Sequence, residues 1–324
     1  MNRRHYWRTA FLTAILSAAL TTGATSPRAQ DAPYPSQMVR IVVPFSAGSM
    51  TDVLARSISE KLPAKWGQQV IVENRPGVPG TAHVATVPAD GLTLMLTSNG
   101  HTVLAAINKD LPFDPLKNFT AVTQVASMPA ILVVPSESPV KSLKDLIEAA
   151  KAKPGELNYG SAGVGSATNI GFEVLMQTAG IKMNHVPYKG MPESQNSVIR
   201  GDSVAGFTFF STGGELIKAG KMRAIAVTGK SRMSQLPDVP TFAEAGLTGF
   251  DYDAWFGILV PAATPKPVVA KIAQDVAEAL ASPDLAARFS TQGVNLVSSP
   301  PDRFDAILRS DTERFGKLYA KTGG

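Results

Sequence analysis

Cysteine is absent from all 324 residues of the chain. Without thiols the protein forms no disulfide, and it has neither a cysteine nucleophile nor a zinc–thiolate site. Histidine is scarce as well. After the N-terminal segment only His83, His101 and His185 remain, and their spacing matches no helical metal-binding motif. We therefore expect neither a metal nor a cofactor.

Long apolar runs are confined to the N-terminus. Three arginines among the first eight residues precede an apolar stretch of eleven, Ala10–Leu20, and small residues follow it. This stretch is shorter than the ~20 residues that span a bilayer. A basic segment, a short apolar segment and small residues, in that order, predict a signal peptide over residues 1–30 that is removed on export.

The excess of positive charge belongs to that segment. The whole chain carries a formal charge of +5, but residues 1–30 hold four arginines and no acid, which leaves 27 basic and 26 acidic residues in the mature part. No basic cluster accompanies this balance. Nucleic acid is therefore excluded as a partner.

Strand-like runs alternate with amphipathic helical patterns, which predicts an α/β fold with largely parallel sheets. About 294 mature residues exceed what one core usually supports, so we expect two lobes. Two extended segments, Val125–Pro135 and Asp253–Pro261, are predicted to cross between them as a two-strand hinge. Lobe 1 would then comprise residues 31–127 and 256–324, and lobe 2 residues 128–255. The two final helices, predicted at Pro267–Ala281 and Pro301–Tyr319, would pack on lobe 1.

Two polar turns each join a strand to a helix. The first is SAGSMTD (residues 46–52) and the second lies in GSAGVGSATN (residues 160–169). Helix N-termini present unpaired N–H groups and a partial positive charge, so such turns can hold an anion. Alternatively Thr51 or Asp52 is an ordinary N-cap. Both segments contain Ser-Ala-Gly, which suggests that one turn faces the other across a cleft.

Other polar residues occupy predicted strand ends. Ser98 and Asn99 follow one strand, and Tyr188 and Lys189 follow another. In open α/β sheets the carboxyl ends of strands face the ligand. These four residues are candidate contacts, although Lys189 is equally consistent with a solvated side chain.

The chain resembles the Bug-type substrate-binding proteins of tripartite tricarboxylate transporters. The resemblance rests on YPSQMVRIVVPFSAGSMTD, VIVENRPGVPGT, DGLTLMLTSNG, LPFDPLKNFTAVT, AKPGELNYGSAGVGSATN, HVPYKG, IKAGKMRAIAVTGKSRMSQLPDVPTFAEAGL and AWFGILVPAATP, in the order shown. It implies a two-lobed periplasmic binding fold of type II, with a mostly parallel sheet flanked by helices in each lobe. It also implies that backbone amides and hydroxyls of the two turns hold a ligand carboxylate, partly through water. Carried onto this sequence, these residues are Ser46, Ala47, Gly48, Thr51 and Asp52 in the first turn, and Ser161, Gly163, Gly165, Ser166 and Asn169 in the second.

Three features, involving four positions, depart from the family pattern. Thr208 and Phe209 stand where the family often has Asp-Asn, Met50 lies in the first turn, and Asn169 replaces a frequent histidine. A pocket that loses a carboxylate and gains an aromatic ring should disfavour ligand amino groups and accept a flatter or more apolar body. The sequence therefore does not decide between an aromatic and an aliphatic carboxylate as the ligand.

The function implied is that of a periplasmic receptor for a small carboxylate, monomeric, which presents its ligand to a membrane permease or to a sensor protein. The alternative from another class is a periplasmic hydrolase of a small ester or amide. Asp251 and Asp253 could imitate an acid–base pair, but they stand in a turn-like polar run before a strand. A second alternative is a scavenging or sensory module that has no transporter of its own.

Overall fold

The computed structural model describes residues 34–322, with side chains to residue 320. The predicted signal peptide, residues 1–30, lies outside the described residues. Among those described, no helix combines the length and the apolar character needed to cross a bilayer.

The first sheet has six strands. They are β1 (Val39–Val43), β2 (Val70–Asn74), β3 (Thr93–Ser98), β4 (Phe119–Met128), β10 (Ala254–Pro261) and β11 (Asn295–Leu296). Their order is β11-β4-β10-β3-β1-β2. Strands β1 to β4 point the same way, whereas β10 and β11 run opposite to their neighbours. All eight residues of β10 are buried, which explains why this central strand is almost wholly apolar.

The second sheet has five strands. They are β5 (Ile131–Pro135), β6 (Asn158–Ser161), β7 (Asn184–Pro187), β8 (Ala205–Thr208) and β9 (Met222–Val227). Their order is β7-β6-β8-β5-β9, and only β5 runs opposite to the rest. The predicted α/β class is confirmed, with two mixed sheets in which most strands share one direction.

Helices cover both sheets. They are α1 (Met50–Lys61), α2 (Pro63–Trp66), α3 (Val78–Thr86), α4 (Leu104–Ile107), α5 (Leu143–Ala152), α6 (Ala167–Ala179), α7 (Met191–Arg200), α8 (Phe210–Lys218), α9 (Lys266–Leu280), α10 (Pro283–Ser290) and α11 (Pro301–Thr322), with a 3-10 helix at Asn99–Val103 before α4. Pro at the first or second position of several helices fits their start, because the N–H that proline lacks has no helical partner there.

The chain passes between the sheets twice. It leaves the first sheet at the end of β4 and enters the second at β5, and it returns at β10 after the connection that follows β9. The crossings agree with the two extended segments predicted from the sequence. The residue boundaries proposed for the lobes, 127/128 and 255/256, remain a prediction.

Helix α11 makes a further link between the sheets. A buried apolar cluster joins it to the 3-10 helix beside the first sheet and to α6 beside the second. Its buried members are Val103, Ile170, Val174, Tyr252, Phe315, Leu318 and Tyr319. The final helix therefore packs on elements of both sheets, rather than on the first alone as the sequence had suggested.

Candidate functional site

The first turn is closed by two side chains. Ser49 is the N-cap of α1, and its hydroxyl accepts the N–H of Asp52 at 3.3 Å. The Asp52 carboxylate in turn accepts the N–H of Gly48 at 2.9 Å. The expectation that Thr51 or Asp52 caps the helix is corrected here, because Ser49 has the extended backbone and the position of the cap.

Asp52 is buried, and its carboxylate accepts hydrogen bonds from other residues of the chain. Besides Gly48, its carboxylate accepts Arg56 Nε at 3.0 Å and Asn74 Nδ2 at 2.9 Å. Burial raises the pKa of this carboxyl, but the hydrogen bonds from Arg56, Gly48 and Asn74 outweigh it and hold the pKa below its usual range. The carboxylate is therefore charged at neutral pH, and Arg56 balances that charge.

The second turn has the same construction. Ser166 is the N-cap of α6, and its hydroxyl accepts the N–H of Asn169 at 3.2 Å. The Asn169 amide oxygen accepts the N–H of Gly165 at 3.0 Å and the hydroxyl of Tyr319 at 2.6 Å. Its Nδ2 donates to Tyr159 Oη at 3.0 Å. A neutral amide thus holds the second turn where a carboxylate holds the first.

The two turns are equivalent under a shift of 117 residues. The pairs are Gly48 and Gly165, Ser49 and Ser166, and Asp52 and Asn169. Both glycines have positive φ, 80° and 72°, and both serines have nearly the same φ and ψ. The two Ser-Ala-Gly triplets are offset by two residues in this alignment, since Ser46 corresponds to Gly163 and not to Ser161.

Apart from the N–H of Ser46, whose counterpart Gly163 N–H is bonded to Ser161, each turn leaves three backbone N–H groups without an acceptor in the described part of the chain. They are Ala47, Met50 and Thr51 in the first turn, and Val164, Ala167 and Thr168 in the second. The six groups occupy equivalent positions. Each turn is therefore a set of donors at a helix N-terminus, closed by its own side chains and open to an acceptor.

Contacts at the end of β3 bring the second turn next to the first sheet. A Cβ built on Gly100 would lie 3.2 Å from the carbonyl oxygen of Gly165. Asn99 is fully buried, and its Nδ2 donates to Tyr252 Oη, which donates to the carbonyl of Ala167. Because β3 lies beside β1 and runs parallel to it, the carboxyl ends of both strands lie at the same end of the sheet. The first turn follows β1 at that end.

The remaining predicted site residues differ in accessibility. Ser98, Gly163 and Tyr188 are half-buried, and Lys189 is exposed. Ser161 is buried, and its hydroxyl bonds to Gly163 and to His185. Thr208 is fully buried and accepts Gln195 Nε2 at 2.7 Å. Phe209 is 7% exposed and belongs to the main apolar cluster.

A serine–histidine pair lies near the second turn. Ser161 Oγ and His185 Nε2 are 2.6 Å apart, and burial lowers the pKa of His185. Ser161 has no exposed surface, and within residues 34–322 no carboxylate hydrogen-bonds to His185. The pair lacks the accessible nucleophile and the orienting acid of a hydrolytic triad. The described residues also contain no cluster of three or more metal-binding side chains.

Sequence reasoning missed several residues that build this region, among them Ser49, Tyr252 and Tyr319. The spacing of Ser49 and Asp52, Ser-x-x-Asp, is a capping-box pattern that could have identified the cap. The two tyrosines reach α6 from 85 and 150 residues away, and no local pattern marks them.

Comparison with known proteins gives a consistent result. The sequence model of the tripartite tricarboxylate transporter family receptor matches residues 54–323. The protein BugT of Bordetella pertussis is 30% identical over 308 residues, which cover 94% of each chain. The solved periplasmic binding protein BugD is 29% identical with a TM-score of 0.75, covering 90% of this chain and 99% of BugD.

Two further solved structures contain ligands. Rpa4515 of R. palustris, solved with adipate, is 31% identical with a TM-score of 0.78, covering 90% of this chain and 98% of its own. MatC (Rpa3494) of Rhodopseudomonas palustris, solved with bound malate, is 29% identical with a TM-score of 0.75, covering 88% of this chain and all of its own. The predicted two-lobed periplasmic binding fold is confirmed by these similarities.

Proposed function

This chain belongs to the tripartite tricarboxylate transporter receptor family, as its sequence indicated, and we propose that it binds one carboxylate group of a small metabolite between its two helix-terminal turns. The relatives solved with adipate and malate support a carboxylate as the ligand class. The receptor role follows from the family, and the identity of the binding residues is our proposal.

The observation that carries the proposal is the duplication of the turn. Each copy offers three unpaired N–H groups at a helix N-terminus. The second copy lies close to the end of β3, where a Cβ built on Gly100 would be 3.2 Å from the carbonyl oxygen of Gly165. Neutral donors and two helix dipoles can hold an anion without a lysine or arginine. The site therefore needs no basic side chain of its own.

Asp52 and Asn169 are positioning residues in this proposal. Each holds the glycine of its turn; the Asp52 carboxylate has no donor, and Asn169 Nδ2 is directed at Tyr159 and Glu173 rather than at the ligand. The hydroxyls differ between the turns. Thr168 Oγ1 accepts the N–H of Ala162, whereas Thr51 Oγ1 has no hydrogen bond within the described residues. We assign Thr51 as a side-chain donor to the ligand.

The other proposed contacts are side chains that a ligand can reach: Ser46, Ser98, Tyr188 and Lys189. Thr208 and Phe209 lie beneath the surface, so their effect would be on the shape of the pocket. Binding is proposed to favour the closed arrangement of the lobes by population shift, because a ligand that touches both turns stabilises only that state. Export through the predicted signal peptide, a monomeric state, and delivery to a permease or a sensor complete the proposal.

Calorimetric titration of residues 31–324 tests it directly. Malate and adipate are the first ligands, phthalate represents aromatic acids, and the diamides are the matched neutral compounds. We expect dicarboxylates to bind and diamides not to bind. Recovery of unaltered ligand after incubation separates a receptor from a hydrolase. Failure of every carboxylate to bind refolded protein contradicts the proposal.

A variant pair locates the site. Thr51→Val removes one hydroxyl and nearly conserves volume. It should weaken binding about 10- to 150-fold, since a hydrogen bond to a charged group is worth roughly 1.5–3 kcal/mol. Thr178→Val is the control, because Thr178 lies at the far end of α6 and bonds only to the carbonyl of Val174. Equal affinities for the two variants would remove Thr51 from the site.

A further inference from the structure

A polar cavity lies where the chain passes between the two sheets. It has a volume of about 430 Å³, which is within the range of small-molecule sites. Its walls come from both crossings, through Pro129 and Asp253, from the segment 229–235 that follows β9, and from the chain between the end of α10 and β11. Residues of the two turns do not line it. This hinge cavity is therefore separate from the proposed carboxylate site.

Elements attached to the two sheets meet beside the hinge cavity. Gln235 Nε2, in the segment after β9, donates to the carbonyl of Ser290 at the end of α10, at 2.6 Å. A Cβ built on Gly293 would lie 2.8 Å from Met233 Cε, so the Met233 methyl group packs against the connection from α10 to β11. A ligand in the cavity would therefore contact elements attached to both sheets.

One wall of the hinge cavity carries an acid with a free acceptor. Asp253 Oδ1 accepts the hydroxyl of Thr228. Asp253 Oδ2 has no hydrogen bond or ion pair within residues 34–322, and it is not a fully buried atom. Burial raises the pKa of Asp253 to about 6, while Thr228 and Lys230 oppose this shift and Asp251 adds to it, so the carboxyl is mostly charged at pH 7.5. Asp253 thus presents a charged acceptor to the cavity.

A basic side chain lies on the same wall. Lys230 is exposed and forms no ion pair in the described part of the chain, although its charge is close enough to lower the pKa of Asp253. The other cation of the wall, Arg232, is already paired with Glu244 at 2.8 Å. Serine, glutamine and asparagine side chains make up much of the remaining wall. An unpaired acid and an unpaired base therefore line one polar cavity.

We propose that the hinge cavity binds a short amino acid, with its ammonium group on Asp253 Oδ2 and its carboxylate on Lys230. An acid alone would be repelled by Asp253, and an amine alone would be repelled by Lys230, whereas a zwitterion forms a charge-assisted hydrogen bond with each. Occupancy of this cavity does not depend on the function proposed above.

Methyl-resolved NMR with ¹³C-methyl methionine tests the proposal on residues 31–324 at pH 7.5. Met233 is the reporter, because it lies on the wall of the hinge cavity. The probes are glycine, β-alanine and 4-aminobutyrate, which carry the two charges at increasing separation. At least one of them should shift the Met233 signal in a saturable manner. No saturable shift at Met233 with any of the three would overturn the proposal.

Matched compounds test the need for both charges. The amide of the bound amino acid keeps the ammonium group and lacks the carboxylate, and the corresponding hydroxy acid keeps the carboxylate and lacks the ammonium group. Each should bind at Met233 about tenfold or more weakly, because each loses one charge-assisted bond. If either compound binds there as tightly as the amino acid, the zwitterion is not the ligand class.

Three variants make the test specific. Asp253→Asn keeps the shape of the side chain and should weaken the amino acid about tenfold or more. Asp238→Asn changes an exposed acid of the same connection and should leave the affinity unchanged. Lys230→Gln changes an exposed side chain and should also weaken the amino acid, but the amide should bind to it no more weakly than to the wild type. Wild-type affinity in both Asp253→Asn and Lys230→Gln would show that the cavity is not the site.

A malate titration followed at Met50, in the first turn, keeps the two proposals distinguishable. A response of Met233 to the amino acid, without any response of Met50 to malate, would contradict the carboxylate site and leave the hinge site standing. The reverse pattern would contradict the hinge site alone.

Discussion

The hydroxyl of Thr228 donates to the carboxylate of Asp253, with 2.7 Å between the two oxygens. The same hydroxyl accepts the N–H of Ala130 at 2.9 Å, and the N–H of Thr228 donates to the carbonyl of Ala130 at 3.0 Å. Ala130 lies where the chain passes from β4 to β5, and Asp253 where it returns to β10. One threonine therefore ties together the two crossings that form the hinge.

The acid at this hinge predicts a pH effect on stability. Burial raises the pKa of Asp253 from 3.8 to about 6; Thr228 and Lys230 oppose this shift, and Asp251 adds to it. The folded protein therefore keeps the proton at pH values where the unfolded chain has lost it. This contribution is stabilising at low pH and is lost as the pH rises from about 4 to about 6.

Asp253→Asn should remove that dependence. The free energy of unfolding of the variant, relative to wild type, should rise between pH 4 and pH 7 by up to about 3 kcal/mol, the equivalent of the pKa change. Urea unfolding at a series of pH values measures this. A difference between the two proteins that stays constant with pH would show that Asp253 is not the responsible group.

Replacing the amide of the second turn by an acid and replacing the acid of the first turn by an amide should lower the free energy of unfolding by different amounts. Asn169→Asp places a charge at a position with 1% exposure, where Tyr159 and Tyr319 are the neighbours and no arginine balances it. We expect a loss of about 3 kcal/mol in unfolding free energy, as for an unpaired buried charge. Asp52→Asn should lose only about 1–2 kcal/mol, the value of weakened hydrogen bonds. Denaturant unfolding of both variants is the measurement, and equal losses would contradict the role given to Arg56.

The two turn glycines should also respond differently to alanine. Both have positive φ, which disfavours alanine by about 1–2 kcal/mol. A Cβ at position 48 meets nothing within 4 Å, whereas one at position 165 would lie 2.6 Å from Ile107 Cδ1. Gly165→Ala should therefore be less stable than Gly48→Ala by roughly a further 1 kcal/mol, the cost of turning the terminal methyl of the half-buried Ile107 aside.

Adding Ile107→Val removes the clashing Cδ1. In the Gly165→Ala protein it should recover most of the stability lost to the clash, as measured by thermal unfolding. If the double variant is no more stable than Gly165→Ala alone, crowding against Ile107 is not the cause.

Tyr252→Phe tests the contact between the end of β3 and α6. The change removes the acceptor of Asn99 Nδ2 and the donor to the carbonyl of Ala167, and both groups are left in a buried environment. We expect a loss of about 2 kcal/mol or more in unfolding free energy. Tyr34→Phe, which removes one bond to the carbonyl of Gly91, should lose about 1 kcal/mol and serves as the control. Similar losses would mean that the link through Tyr252 adds nothing.

Periodicity predicted most of the fold. The strands that became β1, β2 and β3 and the long helices α9 and α11 have local patterns of burial that the sequence displays directly. The two-residue strand β11 and helix α10 were not predicted, the first because it is too short to show a period.

The sequence predicted two polar turns at strand–helix junctions but not their register. Two Ser-Ala-Gly triplets suggested a duplicated turn, yet the duplication aligns Ser49 with Ser166 through cap geometry rather than through identical letters. The supports of the second turn, Tyr159 and Tyr319, are set by tertiary packing. Such contacts leave no trace in the spacing of neighbouring residues.

The apolar cluster around the end of α11 bears on the scale of affinity. In the proposed closure, an opening that moves α6 away from the first sheet would disturb Ile170, Val174 and Phe315, so their burial would favour the closed state before a ligand arrives. The apparent dissociation constant is the intrinsic one divided by the fraction of molecules already competent to bind. The cluster therefore scales the affinity for every ligand by one common factor, and the ranking of ligands is left to the turns.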